Sequence, residues 1–166
     1  LLSKAPRHKA VLEKVADMAK WGTPLAAGHF HGIAVHEAFG SIVGLVTEVS
    51  LGPNGAVRVH RISCAVDCGW TINPDTITAQ MEGGIVYGLT AALKGEITIS
   101  NGRVQQKNFG DYPMLRHNEM PVIDVAIMQN EETPGGIGEP STAAVAGSLI
   151  NAIAAASRKR FYRLPV

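Results

Sequence analysis

Apolar residues recur at helical spacing early in the chain. In RHKAVLEKVADMAK (residues 7–20), Val11, Leu12, Val15, Ala16 and Ala19 share one stripe, which predicts an amphipathic helix. Trp21-Gly22 ends it, and the connector GTPLAAG follows. Residues 32–67 then read as strands. GSIVGLVTEVSL and AVRVHRISCAV are β-branched runs joined by GPNG, whose Asn54-Gly55 is a hairpin signal. Alternation slips near Arg61, which calls for a bulge or for burial on both faces.

A second helix is predicted after Asn73 or Asp75 as cap, with Pro74 suited to the first turn. Ile77, Met81, Ile85, Leu89 and Leu93 follow at four-residue spacing. Gly83, Gly84 and Gly88 interrupt that helix at a cost of roughly 1 kcal/mol each relative to alanine. Three such costs require a close approach by another backbone or a bulky ligand, or else a break in the helix. EITISNGRVQQ predicts a hairpin around Asn101-Gly102, PVIDVAIM a further strand, and PSTAAVAGSLINAIAAA a final helix ending near SRKRF. The pattern over residues 1–166 is that of a single α+β domain, a mainly antiparallel sheet with helices packed on it.

Composition narrows the function classes. Charged residues make up 17% of the chain, below an average of about 25%, so more of the surface than usual is expected to be covered. A net charge of +1 without a lysine–arginine stripe argues against nucleic acid or an anionic membrane as partner. The longest apolar run, near residues 143–156, falls short of the ~20 residues that a transmembrane helix needs. The chain starts at Leu1 with no signal-like stretch, and is read as a piece of a longer protein. Cys64 and Cys68, spaced C-x3-C, match neither a zinc ribbon nor a disulfide framework and read as small, partly buried residues.

Candidate chemistry is sparse. His29 and His31 share one side of a strand, but HEAFG lacks the second histidine of the H-E-x-x-H zinc pattern. Ser41 and Ser148 have no G-x-S-x-G around them, and GGIG is not a dinucleotide fingerprint. Glu139 remains, set between the glycine turn PGGIG and the last helix. Val145, Leu149 and Ile153 form one stripe of that helix and Ala146, Ile150 and Ala154 the next. The helix should therefore be buried, with its N-terminus pointing into the protein. Two readings of Glu139 stay open on these grounds: a helix-start carboxylate favoured by the dipole, or a general base beside a turn that a bulky ligand can approach.

Three blocks in order, GIAVHEAFGS, VHRISCAVDCGWTINPDTITAQMEGGIVYGL and GGIGEPSTAAVAGSLINAIAAA, resemble the C-terminal end of the molybdopterin-binding large subunit of the xanthine oxidase/aldehyde oxidase family of molybdenum hydroxylases. AVHEAFG and CAVDCG are most similar to the bacterial isoquinoline 1-oxidoreductase β-subunit branch, and the resemblance runs from about Arg7 to Val166. It implies hydroxylation of an aldehyde or N-heteroaromatic carbon with water as oxygen source. It also implies molybdenum carried on molybdopterin cytosine dinucleotide, with no protein side chain on the metal. The glutamate of the family's G-x-G-E motif, here Glu139, is its catalytic base toward the metal-bound hydroxyl. Gln80 matches a glutamine near the cofactor, although Ala79 stands where the family has glycine. Gly83 and Gly84 would let the cofactor approach, and Gly136 and Gly138 would line the same cavity.

The implied partners are an iron–sulfur small subunit carrying [2Fe–2S] clusters, the rest of the large subunit, and a small heteroaromatic or aldehyde substrate. Family members are several times longer, so the isolated chain is expected to bind no cofactor and to be inactive. The resemblance points to a bacterial enzyme and leaves export open. The alternatives are a non-catalytic ligand-binding or assembly module of the same fold, and a plain structural domain with a capped helix.

Overall fold

A central strand buried on both faces organises the molecule. The computed structural model describes residues 2–166. Its main elements are α1 (Pro6–Met18), β1 (His29–Ala38), β2 (Ser41–Leu51), β3 (Val57–Asp67), α2 (Pro74–Leu93), β4 (Ile99–Ser100), β5 (Arg103–Val104), β6 (Val122–Ile127) and α3 (Pro140–Ser157). The main sheet has the order β1-β2-β3-β6, and β4-β5 forms a separate small hairpin. β1-β2 and β2-β3 are antiparallel, while β6 runs parallel to β3. The parallel pair follows from the crossover through α2, and the sheet remains mainly antiparallel, as the sequence predicts.

Every residue of β2 from Ser41 to Thr47 is buried. Val43, Leu45 and Val49 join the core under α2 and α3, whereas Ile42 and Val46 pack with Val11 and Val15 of α1. Covering both faces turns the expected alternation into a continuous apolar run. Helix α1 therefore lies on one side of the sheet and α2 with α3 on the other. The slip near Arg61 is a bulge: Glu48 pairs with Arg61 and Val49 with Val59, which leaves His60 as the extra residue.

The turn between β1 and β2 has no sequence signal. Phe39 (φ +57°) and Gly40 (φ +78°) both take left-handed conformations, as a two-residue hairpin turn requires. A bulky residue such as Phe is rare there, so FG does not read as a turn. By contrast Asn101 and Gly102, both with positive φ, form the hairpin that their types predict.

Helix α2 is capped by Asn73, whose Oδ1 accepts a hydrogen bond from the Thr76 amide at 3.0 Å, with Pro74 as its first residue. It continues unbroken to Leu93 through all three glycines. A Cβ on Gly88 would stand 2.6 Å from the Thr142 carbonyl oxygen and 2.5 Å from Val145 Cγ1. One on Gly84 would stand 2.2 Å from Ser141 Oγ. Those two glycines allow α2 and α3 to touch. Helix α3 is in turn tied to the sheet by Thr47 Oγ1–Ser148 Oγ at 2.7 Å and by Asn151 Nδ2 donating to the Ile33 carbonyl at 2.9 Å.

Candidate functional site

The first turn of α3 presents Glu139 at the surface. Glu139 is the N-cap by its backbone, its carbonyl accepting a hydrogen bond from the Thr142 amide at 3.0 Å. Its carboxylate makes no capping hydrogen bond and is exposed. The expectation that this helix start points into the protein is therefore corrected. Burial begins one residue later, at Pro140 and Ser141, where α2 and the sheet cover the helix. The preceding glycines supply no side chains to cover Glu139.

Glu139 opens onto a cleft of about 540 Å³ between two helical faces. Helix α2 contributes Gln80, Gly83, Gly84 and Tyr87, which share one face because they are spaced i, i+3, i+4, i+7. The start of α3 contributes Gly138, Glu139, Thr142 and Ala143, and the β1-β2 turn adds Phe39. Five of the residues singled out in the sequence thus meet here: Gln80, Gly83, Gly84, Gly138 and Glu139. They do different things. A Cβ on Gly83 would meet nothing within 4 Å, so its backbone is bare toward the cleft. Gly84 serves the contact with Ser141, and a Cβ on Gly138 would lie 3.7 Å from Gln80 Nε2. Gly136 is not in the lining; it packs under Phe39, donating its amide to the Phe39 carbonyl at 2.8 Å.

Phe39 and Tyr87 are exposed aromatics in the lining that the sequence reading did not pick out. Tyr87 could have been found, since it is the i+7 partner of Gln80 on a predicted helix. Phe39 arrives through a turn with no signal and could not. A separate, mostly apolar cavity of about 160 Å³ includes Trp70, Ile72 and Ile137.

Several other titratable groups are engaged elsewhere. Asp67 is almost fully buried, and burial would push its pKa up. Hydrogen bonds from Arg7, Asn130 and the Gly69 amide outweigh that and hold it at about 2. His29 Nδ1 lies 2.5 Å from Glu48 Oε1 and His31 Nε2 lies 3.8 Å from Glu48 Oε2; burial lowers the His31 pKa. Cys64 and Cys68 are buried free thiols, and burial pushes Cys64 up to about 12, which rules out a thiolate nucleophile there. Among the described residues no three His, Cys, Asp or Glu side chains are grouped to hold a metal ion. Nor, among them, is any helix long and apolar enough to cross a membrane.

A family model described as the molybdopterin cofactor-binding domain matches residues 12–121, which include Gln80, Gly83 and Gly84. The isoquinoline 1-oxidoreductase subunit beta of Brevundimonas diminuta is 34% identical over 169 residues, covering 99% of this chain and 22% of that protein. The membrane-bound aldehyde dehydrogenase (pyrroloquinoline-quinone) of Gluconacetobacter polyoxogenes is 31% identical, covering 98% of this chain and 22% of its own length. The solved aldehyde oxidoreductase of Desulfovibrio desulfuricans shares the fold, with a TM-score of 0.66 at 23% identity over 75% of this chain and 14% of that one. The chain thus spans 22% of the length of the first two of these relatives. A match over most of the chain and a relative this similar across nearly all of it have one consequence: the chain belongs to the molybdopterin cofactor-binding domain family, among the xanthine oxidase/aldehyde oxidase molybdenum hydroxylases.

Proposed function

We propose that this chain is the part of a molybdenum hydroxylase large subunit that brings a proton-accepting carboxylate to the cofactor cleft. The reaction is oxidation of an aldehyde or N-heteroaromatic carbon. The observation that carries this reading is the meeting, across two helices, of the Gln80 amide, the bare backbone at Gly83 and an exposed Glu139 carboxylate free of hydrogen-bond partners among the described residues. A helix-capping role for the carboxylate lacks the hydrogen bond it requires.

The residues present fit a pterin-borne metal group. A glutamine amide offers two donors and an acceptor, which suits the polar edge of a planar heterocycle. The empty space over Gly83 lets such a group reach the α2 backbone. When bound, the group supplies the two-electron redox step and the Lewis acidity of its metal. Glu139 takes up a proton at a carboxylate oxygen, and both oxygens are available because neither is committed to the protein. The exposed rings of Phe39 and Tyr87 line the cleft beside it.

The cytosine dinucleotide form of the cofactor and an iron–sulfur partner subunit with [2Fe–2S] clusters belong to the same proposal. Support comes from relatives named as subunits of larger enzymes, the subunit beta above and the 6-hydroxypseudooxynicotine dehydrogenase complex subunit gamma of Paenarthrobacter nicotinovorans. Because the chain spans so small a share of its relatives, the isolated polypeptide binds no stoichiometric molybdenum and is inactive; metal analysis of the purified chain tests this. The test of the central claim is Glu139→Gln in the full-length, cofactor-loaded enzyme. Turnover should fall 10²–10⁴-fold, the usual share of general base catalysis, and a loss under about tenfold overturns the assignment.

A further inference from the structure

The carboxylate of Glu139 has no hydrogen-bond partner among the described residues, so its place in the cleft depends on the backbone that carries it. On one side that backbone is α3, immobilised by burial. On the other it is the segment from β6, residues 128–138, which contains Gly135, Gly136 and Gly138. A glycine-rich segment of this length has many conformations to lose, and a chain of hydrogen bonds removes them. Asn130 Nδ2 donates to Asp67 Oδ1 at 2.8 Å. The Trp70 amide donates to the Glu132 carbonyl at 2.8 Å, and the Gly135 amide to the Cys68 carbonyl at 2.9 Å. The Gly136 amide donates to the Phe39 carbonyl, and Ser41 Oγ donates to the Gly136 carbonyl at 2.7 Å.

Two buried side chains close this chain of contacts. Ser41, fully buried, lies so near the loop that a Cβ on Gly135 would stand 2.5 Å from its Oγ. Asp67 joins three segments, accepting Arg7 Nε and Nη2 from α1 at 2.9 and 2.7 Å, the Gly69 amide at 3.1 Å, and Asn130 from the loop. Neither side chain lines the cleft.

We infer that Ser41 and the Asp67–Asn130 pair are positioning residues for Glu139, holding the loop whose end sets where the carboxylate stands. This rests on Glu139 being the proton acceptor. The pair acts at the start of the loop and Ser41 at Gly136, three residues before Glu139, so the two anchors can be broken separately.

The experiment uses the full-length, cofactor-loaded enzyme with Ser41→Ala and Asn130→Ala, alongside Glu139→Gln. Both anchor variants should lower kcat per bound molybdenum about tenfold or more, since displacements near 1 Å can cost 10²-fold, with KM changed less than about twofold. Amide hydrogen exchange over residues 130–138 should rise about tenfold as the loop is released. A purely structural role would lower the yield of loaded enzyme while leaving kcat per molybdenum unchanged, and that result overturns the inference, as does unchanged exchange. Full activity of both anchor variants beside an inactive Glu139→Gln overturns this inference alone. Full activity of Glu139→Gln overturns the base assignment and this inference with it.

Discussion

Asp67 and Glu139 are carboxylates at opposite ends of one loop system, and they live in opposite environments. Asp67 is buried and accepts four hydrogen bonds from three segments. Glu139 is exposed, and its side chain caps nothing. A buried carboxylate held by four hydrogen bonds contributes to stability and is poorly suited to proton transfer, because protonation weakens the contacts that hold it. A carboxylate with free lone pairs at a cleft contributes little to stability and can take a proton at no structural cost. On the proposed reading of Glu139 as proton acceptor, the molecule separates holding from reacting, with the holding group in contact with the start of the loop at Asn130.

That contrast can be broken by measurement. The largest effect expected is the loss of turnover in Glu139→Gln, 10²–10⁴-fold, with a urea midpoint corresponding to a change within about 0.5 kcal/mol. A stability loss comparable to that of an Asp67 variant would erase the distinction. Asp67→Ala should cost about 2–3 kcal/mol in urea unfolding, less than a fully buried pair because Arg7 is a third exposed.

The pH dependence has a defined sign. Asp67 has a folded pKa of about 2, below its ordinary value of 3.8, so between these values the unfolded chain binds more protons and stability rises with pH. The contribution, on the order of 2 kcal/mol, is complete above about pH 5 and lost as pH falls through 4 toward 2. Asp67→Asn should flatten that window in pH-dependent unfolding; a slope that survives would mean another group carries it.

The smallest effects compare two glycines on one helix. Gly88→Ala should destabilise by about 1–2 kcal/mol, because the new methyl meets Val145 and the Thr142 carbonyl. Gly83→Ala should stabilise by about 0.5–1 kcal/mol, because nothing opposes the gain in helix propensity. Thermal melts of the two variants should move in opposite directions.

Local chemistry accounts for most of the elements that were legible. Asn73-Pro74 marks the start of α2, Asn101-Gly102 makes a turn, and the slip near Arg61 is the bulge at His60. Gln80, Gly83, Gly84, Gly138 and Glu139, expected together from the sequence, line one cleft, whereas Gly136, expected with them, packs under Phe39. The β1-β2 turn was illegible because Phe39 adopts a conformation that its own side chain disfavours, held there by the pairing of Ala38 with Ser41 across the turn and by the distant Gly136 amide.

What the sequence determined by itself is therefore periodicity, caps and turn chemistry, together with the residue types that make a family resemblance, since each depends on neighbours within a few positions. The tertiary structure decided which purpose each glycine serves and that Glu139 faces a cleft rather than the interior. It also decided that Asp67, unremarkable in the sequence, gathers Arg7, Asn130 and Gly69 around itself. Those outcomes depend on how helices and strands distant in the chain pack against one another, and burial and hydrogen bonding between distant segments leave no local pattern to read.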